Sequence, residues 1–237
     1  QDYLLKHPSG YCHLSPAELR FAKTYARLTK ALRAFSDEEK KVVLPRFFKT
    51  GKGEYGEGDR FMGVVVPNTR KVAKEHVGAS WEVLEALLES EWHECRLCAL
   101  LILVERYRKY PEETVRFYLE HTKGISNWDL VDLSAPYILG RYLTGSENRT
   151  ILYTLAGSDN MWEQRIAVVS TLTLIRDNQF SDTMKYGILC IGCNPGSCLL
   201  RLSIKKSLEE NVVTALNNLL QILLQIGKHS RSSRILI

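Results

Sequence analysis

Asp132 is the residue around which chemistry can be built. It lies in SNWDLVDLSAPYILG, residues 126–140, four positions after Trp128 and three after a second carboxylate, Asp129. The i, i+4 spacing puts Trp128 and Asp132 on one helix face. Asp129 is rotated away and reads as an N-terminal helix charge or a structural hydrogen-bonder. A leucine would pack better than Asp132 on this apolar stripe, so the aspartate needs a partner or a task. A carboxylate near a reacting centre can stabilise developing positive charge and can orient or deprotonate a water. The indole face of Trp128 would favour a nearby cation by about 0.5–2 kcal/mol.

The segments that must position these groups are helical. From Ser15 to about Phe180 apolar residues recur at helical spacing, with little strand-like alternation. Ser15, Pro16 and Glu18 form a capping-box start, and Ser36 with Asp37 and Glu38 marks a second helix start. VPNTRKVAKEHV restarts a helix at Pro67, and SWEVLEALLES begins another after Ser80. The glycines of GKGEYGEGD make residues 51–59 a loop. No Walker pattern is present there, and Glu54, Glu57 and Asp59 would repel phosphate, which argues against nucleotide binding.

The helices repeat. Residues 91–101, EWHECRLCALL, align with 127–137, NWDLVDLSAPY, and with 160–170, NMWEQRIAVVS, at steps of 36 and 33 residues. This spacing suits stacked two-helix units that bury their apolar faces against neighbours. In the alignment Arg96, Asp132 and Arg165 share one slot. Stacked equivalents line one surface, so Asp132 is either presented there or joined in an Arg–Asp–Arg ladder between repeats. The expected fold is all-α, a superhelical array of HEAT-like helix pairs.

Bulk properties narrow the class. Hydrophobic residues make up 45% and charged residues 25%, as in a globular protein rather than a disordered one. No apolar run is long enough for a membrane span, and the opening QDYLLKHPSGYCHLSP lacks a signal-peptide pattern, so a cytoplasmic protein is expected. Net charge is +5, and residues 1–80 carry 15 Lys/Arg against 9 Asp/Glu, whereas residues 81–127 carry 6 against 9. The basic N-terminal third suits an anionic partner or a solvated surface. Cys95 and Cys98 lie in a helix-like run and read as core filler; Cys190, Cys193 and Cys198 form a knuckle-like run without a nearby His. No metal is expected.

Three segments carry a resemblance. RFFKTGKGEYGEGDRFMGVVVPNTRKVAKE (46–75), NWDLVDLSAPYILG (127–140) and SDNMWEQRIAVVS (158–170) together resemble the bacterial DNA alkylation repair family of AlkD-like glycosylases, over roughly residues 22–180. The resemblance implies a basic concave face that holds duplex DNA, and hydrolysis of the N-glycosidic bond of cationic N3- or N7-alkylated purines. It implies no metal and no redox cofactor, and a base that is not drawn into a pocket. Residue by residue, Asp132 matches the catalytic carboxylate, Trp128 an aromatic wall and Arg165 the arginine that anchors the lesion-bearing backbone. Phe47 falls where some members have tyrosine. Lys49, Lys52, Arg70, Lys71 and Lys74 are candidate phosphate contacts. Trp162 reads as core.

The expected organisation is an N-terminal extension (1–20), a HEAT-like glycosylase domain (21–186) and a divergent C-terminal helical cap (187–237), in a monomer. After about Lys185 the family pattern fades: no tryptophan follows Trp162, where members carry another in the cleft. A divergent cap and a reading-frame slip both account for this. The expected function is therefore DNA repair by an alkylpurine glycosylase without cofactor. The alternatives are a DNA-binding module without turnover and a HEAT scaffold for protein partners.

Overall fold

The computed structural model describes residues 15–179 and 181–182. Among them the protein is all-α, and its extended pairing is limited to one isolated bridge between Arg60 and Trp92. The chain divides into two compact units, 1–130 and 131–237. The expected cap at 187–237, with Cys190, Cys193 and Cys198, lies outside the described residues, as do Cys12 and most of the N-terminal extension.

In the first unit, α1 (Pro16–Arg33) packs on α3 (Val66–Glu75), α4 (Trp81–Leu88) and α5 (His93–Arg106), with α2 (Glu38–Phe47) between α1 and the glycine loop and α6 (Pro111–Glu120) beyond α5. The capping box of α1 forms as its sequence dictates: Ser15 Oγ accepts the Glu18 N–H and Glu18 accepts the Ser15 N–H. The second start differs by one residue. Asp37, not Ser36, caps α2 by accepting the Lys40 N–H, while Ser36 donates its hydroxyl to the Met62 carbonyl. Both residue types can cap, and the nearby Met62 carbonyl gives the Ser36 hydroxyl another partner. Cys95 and Cys98 are free and buried within α5, and burial pushes both thiols upward, Cys95 to about 12.

Two contacts fix the glycine loop beside the start of α5. The Arg60 N–H bonds the Glu91 carbonyl at 3.2 Å, and the His93 N–H bonds the Arg60 carbonyl at 2.8 Å. Glu94, which is 1% exposed, accepts N–H bonds from Met62, Gly63 and Val64 at 2.9–3.0 Å. One buried carboxylate therefore satisfies three consecutive amides just before α3. Gly63 is required in this turn, with φ +82 and the Asp37 carbonyl 2.3 Å from where a Cβ would stand.

The expected helix over 126–140 breaks. α7 spans Trp128–Asp132, and the division between units falls within it. Pro136, which has no N–H to give, then opens a π turn over Pro136–Gly140. In the second unit, α8 (Arg141–Thr144) and α9 (Thr150–Ala156) follow, and α10 (Met161–Arg176) packs on the π turn, α8 and α9. Side chains of α10 add hydrogen bonds to carbonyls of the turn: Thr173 donates to Pro136 at 2.7 Å and Ser170 to Ala135 at 3.4 Å. Close approach needs Gly140, because a Cβ there would sit 2.5 Å from the Ser170 carbonyl oxygen.

Two substitutions test these constraints in urea. Gly140→Ala forces α10 away from the π turn and is expected to destabilise the second unit by about 1–3 kcal/mol. Glu94→Ala strips three buried amides of their acceptor and is expected to cost about 3–5 kcal/mol, more than Glu94→Gln, which keeps one acceptor oxygen. Unchanged unfolding midpoints would contradict either reading.

Candidate functional site

In the second unit Asp132 and Arg165 form a bidentate ion pair, Nε to Oδ1 at 2.9 Å and Nη2 to Oδ2 at 2.8 Å. Arg165 lies in the second turn of α10, whose N-cap Asn160 accepts the Trp162 N–H and whose buried face carries Trp162, Ile166 and Val169. Trp162 is therefore core, as its sequence position suggested. The pair is not sealed: the Arg165 side chain keeps 21% exposure and Asp132 keeps 27%. One rung of the ladder left open by the sequence is thus present. Arg96 takes other partners, donating to Asp59 at 2.5 Å and to the Ser90 carbonyl at 2.8 Å.

In the first unit Trp128 is half-buried on an aromatic column. Its ring stacks on Phe48 at 5.4 Å and 20°, and Phe47 meets it edge-on at 5.9 Å. Phe48 stacks in turn on Phe61 at 5.0 Å. Of the candidate phosphate contacts, Lys49, Lys52, Lys71 and Lys74 are exposed and Arg70 is half-buried. Lys49 adopts a left-handed φ of +51 and holds its ammonium 5.8 Å from the Tyr55 ring centroid; Lys71 lies 6.0 Å from that of Phe35.

A third group escaped the sequence reading. His93, 2% exposed, lies between two carboxylates, with Nδ1 3.0 Å from Asp59 Oδ2 and Nε2 2.8 Å from Asp129 Oδ2. Both partners are acceptors, so both ring nitrogens donate and the ring is an imidazolium. Burial opposes that charge, but the Asp129 carboxylate and the hydrogen bonds to Asp129 and Asp59 outweigh it, and the pKa rises to about 9. Burial likewise works to raise Asp59, yet the His93 hydrogen bond and the Arg96 guanidinium hold its carboxyl below the usual range. Asn127 Nδ2 completes the set, 3.2 Å from Asp59 Oδ2. Of the two roles its helix position left open, Asp129 takes that of a structural hydrogen-bonder.

A signal for this group existed. The 36-residue step that lays Trp92 on Trp128 also lays His93 on Asp129, a cation–anion match in equivalent slots. Trp92 itself is clasped by guanidiniums, with Arg60 at 4.6 Å and Arg33 at 5.2 Å from its centroid. Among the described residues no cluster of His, Cys, Asp and Glu is arranged to hold a metal, and no helix is long and apolar enough to cross a membrane.

Helix pairs recurring at 33 and 36 residues, with polar partners in equivalent slots, define an all-α repeat protein. The chain belongs to the DNA alkylation repair enzyme family, whose sequence pattern matches residues 28–192. Neither the curated proteins nor the solved structures yield a match to the chain.

The His93 cluster sets a pH window for stability. His93 has a raised pKa, so its contribution is full below its ordinary value near 6.5 and is lost as pH rises through 9. Asp59 has a lowered pKa, so its contribution is present above about 3.8 and is lost as pH falls below it. The free energy of unfolding from urea titrations should therefore fall on the alkaline side by an amount on the order of 3 kcal/mol. His93→Gln should have lower stability at pH 7 and lack that alkaline loss. An identical pH profile in the variant would refute the imidazolium.

Proposed function

We propose that the protein is a DNA glycosylase that hydrolyses the N-glycosidic bond of cationic N3- or N7-alkylated purines in duplex DNA, with Asp132 as the catalytic carboxylate. The observation that carries this reading is a partly exposed aspartate, oriented by both arms of a guanidinium, in a chain of the DNA alkylation repair family.

Such a substrate needs little acid help. As the bond from the sugar C1′ to the base nitrogen breaks, its electron pair neutralises the charged base, which departs without a proton from the protein. Positive charge moves onto the sugar, and a carboxylate beside it stabilises that oxocarbenium-like state. Water then adds at C1′ and loses its proton to Asp132, leaving an abasic site. Neutral bases, which depart as anions unless protonated, should be released slowly or not at all.

Arg165 keeps the carboxylate turned through its Nε and Nη2, and the rest of its fork suits a phosphate oxygen of the lesion strand. Trp128 offers an indole face to the cation or the deoxyribose, backed by Phe47 and Phe48. Lys49, Lys52, Arg70 and Lys71 would take backbone phosphates and give the salt dependence such contacts impose. They fix register rather than sequence.

Release of 7-methylguanine from methylated duplex DNA tests this. The wild-type protein should release the base, and Asp132→Asn should slow release by about 10²-fold or more with duplex affinity nearly unchanged. Equal release by the two proteins would remove Asp132 from the chemistry. Salt-sensitive duplex binding with no release would mark a binding module, and no affinity at low salt would leave a scaffold.

A further inference from the structure

The proposed chemistry makes no use of the buried cluster of Asp59, His93, Arg96, Asn127 and Asp129, yet its hydrogen bonds converge on the two neighbours of Trp128. Asn127 donates to Asp59 and accepts the Trp128 backbone N–H on Oδ1 at 2.9 Å. Asp129 accepts from His93 Nε2 and, through Oδ1, from the Leu130 N–H at 2.8 Å. The main chain on each side of the indole is thus tied to one imidazole. So is the ring beneath it: His93 lies 4.9 Å from Phe48 and 4.5 Å from Phe61, and Phe48 carries the indole.

An apolar core could support Trp128 without burying charges, each of which loses several kcal/mol of hydration. The cluster also leaves the buried Arg96 Nε without a hydrogen-bond partner. Directional bonds supply what apolar contact does not, a fixed orientation. Gly56 adds to this. A Cβ there would stand 2.4 Å from the Phe48 carbonyl oxygen and 3.2 Å from Asn127 Nδ2, so the loop closes onto both supports of the indole.

We propose that Asp59, His93 and Asp129 form a positioning relay that sets the plane of the Trp128 indole for docking of the cationic nucleotide. The proposal rests on the glycosylase reading for its purpose, but its geometry can be tested without substrate. None of the three is a catalytic residue: each acts through Trp128.

The full chain labelled with 5-fluorotryptophan has four fluorine resonances, one for each tryptophan. The resonance lost in Trp128→Phe identifies that position. In His93→Gln and in Asp129→Asn the Trp128 resonance should shift or broaden, while Trp162 stays as in the wild type. A folded variant with an unmoved Trp128 resonance overturns the relay. If a variant unfolds, all four resonances collapse together, and a wild-type titration decides instead. Among the described residues Asp59 and Asp129 face the ring, with Arg96 behind Asp59 and Phe48 and Phe61 on the aromatic sides. Raising pH through 9 must move the Trp128 fluorine, or the relay is absent.

In single-turnover release, His93→Gln should slow the reaction about tenfold without changing duplex Kd, and should add nothing in a Trp128→Ala background. Additive losses would assign His93 a purely structural role. A wild-type protein that releases no base would count against the glycosylase reading alone, because the fluorine measurement involves no DNA.

Discussion

A cation in one repeat facing a carboxylate in an adjacent repeat is the interaction on which each unit depends. In the first unit it is His93 against Asp129, 36 residues apart, and in the second Arg165 against Asp132, 33 residues apart. These separations are the repeat steps themselves, so each pair is a contact between equivalent positions. Removing one partner of a buried pair strands the other charge, typically at about 3–5 kcal/mol. The two pairs differ in access. His93 and Asp129 are closed off, whereas Asp132 and Arg165 keep about a quarter of their side-chain surface in solvent. That difference separates a group suited to support from one suited to contact a substrate.

The polar contacts also explain why irregular backbone can persist here. Glu94 gathers three amides of the turn before α3, and Thr173 and Ser170 meet carbonyls around the π turn. Each irregular segment therefore has its polar groups answered by a helix that starts one repeat later. The glycine loop and the broken helix then become fixed features, and they carry Asp59, Phe61 and the segment after Asp132.

Much of this was legible in the sequence. Helix starts at Ser15 and Pro67, the glycine loop and the core role of Trp162 follow from caps, turn residues and periodicity. The shared slot of Asp132 and Arg165 came from aligning repeats. What stayed hidden was of two kinds. Pro136 could have signalled a break in 126–140, but whether proline kinks or ends a helix depends on contacts made far along the chain, here those of Thr173 and Ser170 with carbonyls of the turn. The His93 cluster depends on Asp59, whose place beside α5 is set by the Arg60–Trp92 bridge, a contact between segments with no shared period. The match of His93 to Asp129 lay in the same alignment, three residues before the slot shared by Asp132 and Arg165.

Under the proposed function, family membership, a basic N-terminal third and an accessible oriented carboxylate fit together as alkylation repair by electrostatics rather than by proton donation. The most direct test compares single-turnover release of 7-methylguanine and of uracil from otherwise identical duplexes. The account predicts ready release of the cationic purine and none detectable for the neutral pyrimidine. Comparable rates for both would contradict it, because a carboxylate alone cannot expel a base that leaves as an anion.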